Sequence, residues 1–466
     1  MSLRSAACIA LLLGTTPAGS RPAQARASSE EAAKQADPVE RIFRKWLQVF
    51  NSGDRARIKA FYARYADDPE PTFALEQVED TCGLTVERIA ARSPTAMTVL
   101  LRQRCLPGLQ RLKLELAAGD GSKLKALDLK PLPLSRDGAL TATLAIAQRL
   151  AGHDDFAGSL IIKRGSKRLV ARSWGMADPT RHVPMTLDTP MFLASAGKMF
   201  TSVAVLQLVD SGKIELDAPL SRYLPDYPNR EMAQVTIRQL LTHRGGTGDI
   251  GILERGDGAN RANVRTIADM IRLNGARAPA FPPGTKDEYS NYGFILLGAV
   301  IEQVTHDSYY DYVRRHVFEP AGMIASRFPD RDHLEGVAIG YTTFFGAEPK
   351  KVSNLDVLPW RGASAGGGVA SPKDMLAFFN AMRAGKLLSP AAFKMATTAG
   401  PTRWYGMGFV VNPGESWGHG GMSYGMDVAA HFYPKIDTTF LCMASRDMVC
   451  NRLIYAWYLR TFGPDD

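Results

Sequence analysis

Hydrophobic positions follow two different periods along this chain. Val39, Ile42, Phe43, Trp46 and Phe50 recur at helical spacing, and Ile58, Phe61, Tyr62 and Tyr65 line a second helical face. Asn51-Ser52-Gly53 ends the first helix and Asp54 can cap the next. Beyond Pro69 and Pro71 the period shortens. Met97 to Leu101, then Leu112, Leu114 and Leu116, then Leu127 and Leu129 read as strands, joined by turns such as Gly119-Asp120-Gly121. Two helices followed by antiparallel strands predict a small α+β unit over residues 38–130.

Lys130-Pro131-Leu132-Pro133-Leu134 opens a stiff linker over residues 131–137. A second unit, 138–466, begins with a strand at Phe156 to Ile162 and continues through a long helical region with Gly/Pro loops. Near its end Phe409 to Val411, Ala429 to Tyr433 and Thr438 to Met443 read as strands. A last helix carries Met448, Leu453, Ile454, Trp457 and Leu459. Early and late strands with helices between them predict one antiparallel sheet built from both ends of the unit, flanked by helices, with an inserted helical region.

Composition changes this picture mainly at the N-terminus. Arg4, the apolar run Ala6 to Leu13 and the small-x-small pattern Ala23-Gln24-Ala25 read as a signal peptide over residues 1–25, followed by a flexible leader over 26–37. The run is too short to span a bilayer, and Cys8 lies inside it rather than just beyond it, which argues against a lipoprotein. The expectation is an exported protein, periplasmic or secreted, without stable membrane insertion. The net charge of +9 is mild for 466 residues, and no basic block is interleaved with aromatics, so no nucleic-acid partner is expected. Four cysteines remain after the leader and allow three connectivities. Cys82 with Cys105 and Cys442 with Cys450 is the simplest; four free thiols are the alternative. No cluster has metal-ligand spacing, so neither a metal nor a cofactor is expected.

The chemistry turns on a serine followed three residues later by a lysine. Two copies occur, Ser122 with Lys125 and Ser195 with Lys198. Positions i and i+3 share a helix face but lie on opposite faces of a strand. Ser122 enters an alternating strand, so its lysine points away. Ser195 precedes Met199, Phe200, Val203, Val205, Leu206 and Val209, an apolar run ending at Asp210-Ser211-Gly212, which predicts a buried helix with Ser195 and Lys198 in its first turn. Burial disfavours the charged form of a lysine and makes it a usable base. Further along, Tyr289-Ser290-Asn291 precedes an apolar helix, and His419-Gly420-Gly421 lies between strands. A tyrosine beside a lysine can serve as base or proton shuttle, and glycines let the backbone approach an acyl group.

In this order, Ser195-x-x-Lys198, Tyr289-x-Asn291 and His419-x-Gly421 resemble the three motifs of the penicillin-recognising serine hydrolases. The tyrosine points to the class C β-lactamase-like branch, which includes β-lactamases, D,D-peptidases, D-aminopeptidases and carboxylesterases. Leu240-Leu241-Thr242-His243, Pro283-Gly284 and Pro320-Ala321-Gly322-Met323 are similar to that family's flanking text. The resemblance covers roughly the last two thirds of the chain and implies a β-lactamase/transpeptidase-like fold. The unit before it resembles, by pattern alone, the nuclear-transport-factor-like cone domains, with an accessory role.

Carried over by position, the resemblance implies Ser195 as nucleophile, with Lys198 and Tyr289 sharing base duty. Asn291 would bind the substrate's amide side. The backbone N–H groups of Ser195 and Met422 would form the oxyanion hole. His419 and Gly421 stand where β-lactamases usually carry Lys-Thr-Gly. A histidine there is at most partly charged near neutral pH, which leans toward esters, amides or D-amino-acid peptides rather than β-lactams. The partner is then a small-molecule or peptide substrate; the oligomeric state stays open. The alternative functions are a penicillin- or peptidoglycan-binding receptor without turnover, and a true β-lactamase. Tyr227-Pro228-Asn229 and His243-Arg244-Gly245 match single motifs out of order and read as structural.

Overall fold

The computed structural model describes residues 37–119, 123–250, 264–344 and 351–463. The expected signal peptide, almost all of the leader and Ser122 lie outside these. The chain divides into two compact units, one ending at Leu134 and taking in Gly463, the other Ser135–Phe462.

The first unit holds α1 (Pro38–Ser52), α2 (Arg55–Tyr65) and α3 (Thr72–Thr81), then a four-stranded sheet in the order β1 (Leu84–Arg92), β2 (Ala96–Gln103), β3 (Leu109–Leu116), β4 (Leu124–Pro131). The Asp37 carboxylate accepts the Glu40 N–H at 3.0 Å and starts α1, and Gly53 in a left-handed conformation ends it. Val39, Phe43, Trp46 and Phe50 then pack on Val99, Leu101, Leu112 and Leu114 of the sheet. The sequence pattern does not predict helix α3 or strand β1. Buried α3 positions include Gln77, Asp80 and Thr81, and Gln77 Nε2 donates to the Leu129 carbonyl at 2.7 Å, so the buried face is partly polar. Strand β1 is exposed at eight of its nine residues and carries two register shifts. It is a charged edge strand with no buried alternation to read.

The second unit begins with α4 (Arg136–Gly152), also unforeseen, capped by the Ser135 hydroxyl on the Gly138 N–H. Strands β5 (Gly158–Arg164) and β6 (Lys167–Trp174) pair with late strands β7 (Val410–Asn412), β8 (Ser416–Ser423), β9 (Met426–Tyr433) and β10 (Thr438–Ala444). The order is β7-β8-β9-β10-β5-β6, antiparallel throughout. The sheet therefore joins both ends of the unit, as the pattern predicts, in an α+β fold. Strand β10 is buried at every residue. A terminal helix, α7 (Val449–Phe462), packs on α4 and on β9 and β10. Between the two groups of strands run α5 (Lys198–Asp210) and α6 (Asn291–Thr305), buried through most of their lengths. Disulfides join Cys82 to Cys105 in the first unit and Cys442 to Cys450 in the second.

Candidate active site

The chain reaches Ser195 from a short strand, Met191–Phe192, paired with Val369–Ala370. The Leu193 N–H donates to the Gly368 carbonyl at 3.0 Å. Ala194 then takes φ 44°, a left-handed conformation that costs a non-glycine residue about 1 kcal/mol or more. This kink turns strand into helix. Ala194–Gly197 form a 3-10 turn that runs directly into α5. Ser195 thus sits just ahead of the α-helix rather than in its first turn, but Lys198 still folds back to it.

Lys198 is 0% exposed. Its Nζ lies 2.6 Å from Asn291 Oδ1, 2.7 Å from the Ala365 carbonyl oxygen and 3.2 Å from Ser195 Oγ. A neutral amine has two hydrogens and one lone pair. Asn291 Oδ1 and the Ala365 carbonyl can only accept, so they take both hydrogens. The lone pair is left for the Ser195 hydroxyl. Burial pushes the lysine down to about 7, against the opposing pull of the Asp249 carboxylate.

Asn291 owes its orientation to Asp249. Its Nδ2 donates to Asp249 Oδ2 at 3.1 Å, and its backbone N–H donates to Oδ1 at 3.3 Å. A carboxylate accepts only, so the amide cannot flip, and Oδ1 faces the lysine. Asp249 was not singled out from sequence; its only local signal is an acid after a Gly-rich turn, Gly245-Gly246-Thr247-Gly248. Tyr289 approaches the same serine from the aromatic side, packed on His243. The Ser195 hydroxyl is near enough to act on its phenol, and Lys198 Nζ lies 4.8 Å from its ring centroid. Burial raises the phenol above its ordinary value, more than Ser195 lowers it.

The third motif lies on β8. His419 Nε2 is 3.0 Å from the Tyr405 hydroxyl, and its Nδ1 faces the Gly420 carbonyl. Burial, reinforced by the nearby Lys198 charge, pushes the imidazole down to about 3. His419 is therefore neutral, where sequence alone allowed partial charge. Gly421 has a steric role: a Cβ there would lie 2.1 Å from the Leu193 carbonyl and 3.0 Å from the Ser195 nitrogen. Strand β8 thus presses on the Ser195 turn, and Met422, the next residue, lines the same cleft as Ser195.

Of the out-of-order matches, Tyr227 pairs its hydroxyl with that of Tyr292 at 2.9 Å in the core. His243 lies closer to the chemistry. Its ring packs 4.3 Å from Tyr289 and 4.4 Å from Tyr405, and its Nδ1 accepts the Ser290 N–H at 3.1 Å. Burial lowers its basicity well below the ordinary imidazole value. Tyr405 had no sequence signal beyond its aromaticity.

Ser195, Asn291 and Met422 open onto a cleft of about 200 Å³ with a mostly apolar wall that includes Phe192, Ile295, Trp360 and Tyr424. Lys198 and His419 are buried, and Tyr289 is half-buried. Among the described residues no group of acidic, histidine or cysteine side chains is placed to hold a metal.

A family profile described as Beta-lactamase matches residues 144–458. The chain belongs to the β-lactamase family of penicillin-recognising serine hydrolases. Among relatives, the putative penicillin-binding protein PbpX of Bacillus subtilis (strain 168) is 31% identical over 273 residues, covering 57% of this chain and 65% of that protein. The chain thus matches just under two thirds of that relative's length. Among solved structures, the penicillin binding protein from Bacillus halodurans superposes with a TM-score of 0.61 at 28% identity, over 66% of this chain and 97% of that one. The D-amino acid amidase from Ochrobactrum anthropi SV3 superposes with a TM-score of 0.59 at 23% identity, over 70% of this chain and 98% of that one, a likeness of fold.

Proposed function

We propose that this family member is an exported serine hydrolase that forms an acyl-enzyme on Ser195 from an ester, amide or D-amino-acid peptide. The observation that carries the reading is the hydrogen bonding of Lys198. A fully buried amine near its own neutral point gives both hydrogens to acceptors and its lone pair to the serine.

In this mechanism Ser195 Oγ attacks the substrate carbonyl carbon while its proton passes to Lys198 Nζ. The carbonyl oxygen becomes an oxyanion held by the backbone N–H groups of Ser195 and Met422. Tyr289, kept protonated by burial, acts as the shuttle: it gives its proton to the leaving oxygen or nitrogen and regains one from Lys198. The bond to the leaving group breaks and the acyl group stays on Ser195. Water then attacks the ester with the same residues in reverse roles. Asn291 holds Lys198 in register, and Asp249 holds Asn291. His419, neutral and tied to Tyr405, supplies no charge to a substrate carboxylate, which supports esters and amides over efficient β-lactam turnover.

Export rests on the N-terminal pattern and on two disulfides, which persist in oxidising compartments. The test is a panel of 4-nitrophenyl esters, D-amino-acid anilides and nitrocefin on wild type and Ser195→Ala, with mass spectrometry after a fluorophosphonate. Turnover lost in Ser195→Ala with an adduct on Ser195 supports the reading. Equal activity in both proteins contradicts it. An adduct with a penicillin that never decays, without turnover of any substrate, replaces the hydrolase by a receptor.

A further inference from the structure

Two charged residues, both arginines, are among the described residues lining the cleft that holds Ser195; none is acidic. Arg361 is engaged: its Nε donates to the Phe328 carbonyl at 2.7 Å, and its guanidinium lies 3.8 Å from the Tyr310 ring centroid. Arg331 is not. Its backbone N–H donates to the Trp360 carbonyl at 2.7 Å and fixes the chain at the cleft wall. Its side chain has no hydrogen bond, ion pair or ring contact among the described residues. It also borders a neighbouring groove whose lining carries Asp178, Asp332, Glu335 and Asp356, yet it pairs with none of them. A half-buried arginine on a mostly apolar cleft, with five donors uncommitted among the described residues, suits a planar anion.

We propose that Arg331 is a specificity-determining residue that binds an anionic group, a carboxylate in the first instance, on the substrate acylating Ser195. The inference rests on Ser195 being the nucleophile. It revises what the third motif alone suggests. The motif carries no lysine, and His419 is neutral, so the motif itself offers an anion no charge. The positive charge instead enters from another part of the lining, on the segment after the Pro320-Ala321-Gly322-Met323 turn. The same wall disfavours substrates with a free ammonium, because no described lining residue is a carboxylate. The substrate class is then an apolar acyl ester or amide with an acidic substituent on either its acyl or its leaving-group side.

Two matched pairs of substrates test this. On the acyl side, the 4-nitrophenyl monoester of adipic acid is compared with its methyl-capped diester. On the leaving-group side, 4-butyryloxybenzoate is compared with its methyl ester. Wild type is expected to prefer the anionic member of one pair by about tenfold to a hundredfold in kcat/KM, the range of a charged hydrogen bond, with the difference in KM. The pair that shows it tells which side carries the acid. Arg331→Ala abolishes the preference and leaves the neutral esters within about twofold, and Arg331→Lys restores part of it. No anion preference in either pair, or a parallel loss on charged and neutral esters in Arg331→Ala, overturns the proposal. Labelling by a neutral fluorophosphonate separates the two failures. Normal labelling of Ser195 without anion preference removes Arg331 alone. Undiminished hydrolysis by Ser195→Ala removes the nucleophile, and the Arg331 assignment with it.

Discussion

The two flanks of Ser195 are built on opposite principles. On one side Lys198, Asn291 and Asp249 form a chain of short, directional hydrogen bonds that ends on a carboxylate. On the other, half-buried Tyr289 packs with buried His243, Tyr405 and His419 in a layer of rings and weakly basic imidazoles. The first flank fixes where a proton can go. The second excludes charge and water, and so keeps the lysine's basicity low. Either flank alone would fail: a polar chain open to water would leave Lys198 protonated, and an apolar pocket without acceptors would leave its hydrogens unpaired.

Breaking the polar flank produces the largest effects. Ser195→Ala is expected to lower kcat/KM by about four orders of magnitude against the best ester, and Lys198→Met by about two to four, the span of a lost general base. Steady-state kinetics with active-site titration measures both. Asp249→Asn sharpens the comparison because it removes a charge and keeps the shape. Asp249 raises the lysine's basicity, so its loss moves the acidic limb of the kcat/KM profile to lower pH. The amide can now flip, and activity falls about tenfold to a hundredfold.

Breaking the aromatic flank affects stability more than chemistry. Tyr405→Phe strips a buried imidazole of its partner and is expected to cost about 1–3 kcal/mol in denaturant unfolding, with a smaller change in rate. The aromatic flank also carries a pH dependence. The folded-state basicity of His419 is depressed from 6.5 to about 3, so the unfolded chain binds more protons across that interval. Its contribution to stability is complete above about pH 6.5 and is lost as pH falls toward 3. Thermal melts from pH 7 to 4 should show a falling Tm, less steep in His419→Asn.

The same contrast decides what the sequence discloses. Ser195 and Lys198 are one helical turn apart, and Tyr289 and Asn291 adjoin one helix start, so local spacing exposes them. Asp249 and Tyr405 reach the site only because distant loops fold over it. His243 matched a motif out of order, and its place behind Tyr289 is a consequence of packing. In the fold, strands with buried alternation and helices with one apolar face were legible. Helix α3 has a partly polar buried face, and β1 is exposed on both faces, so neither carries the period that would announce it.

In the proposed mechanism a neutral Lys198 activates Ser195. The most direct measurement is the pH dependence of the rate at which an uncharged fluorophosphonate labels Ser195, from pH 5 to 10. With Lys198 as the base, the rate rises with an apparent pKa near 7 and levels off above it, and the midpoint is displaced to lower pH in Asp249→Asn. A rate that is flat from pH 5 to 9, or that rises only near pH 10 as an ordinary lysine would, contradicts it.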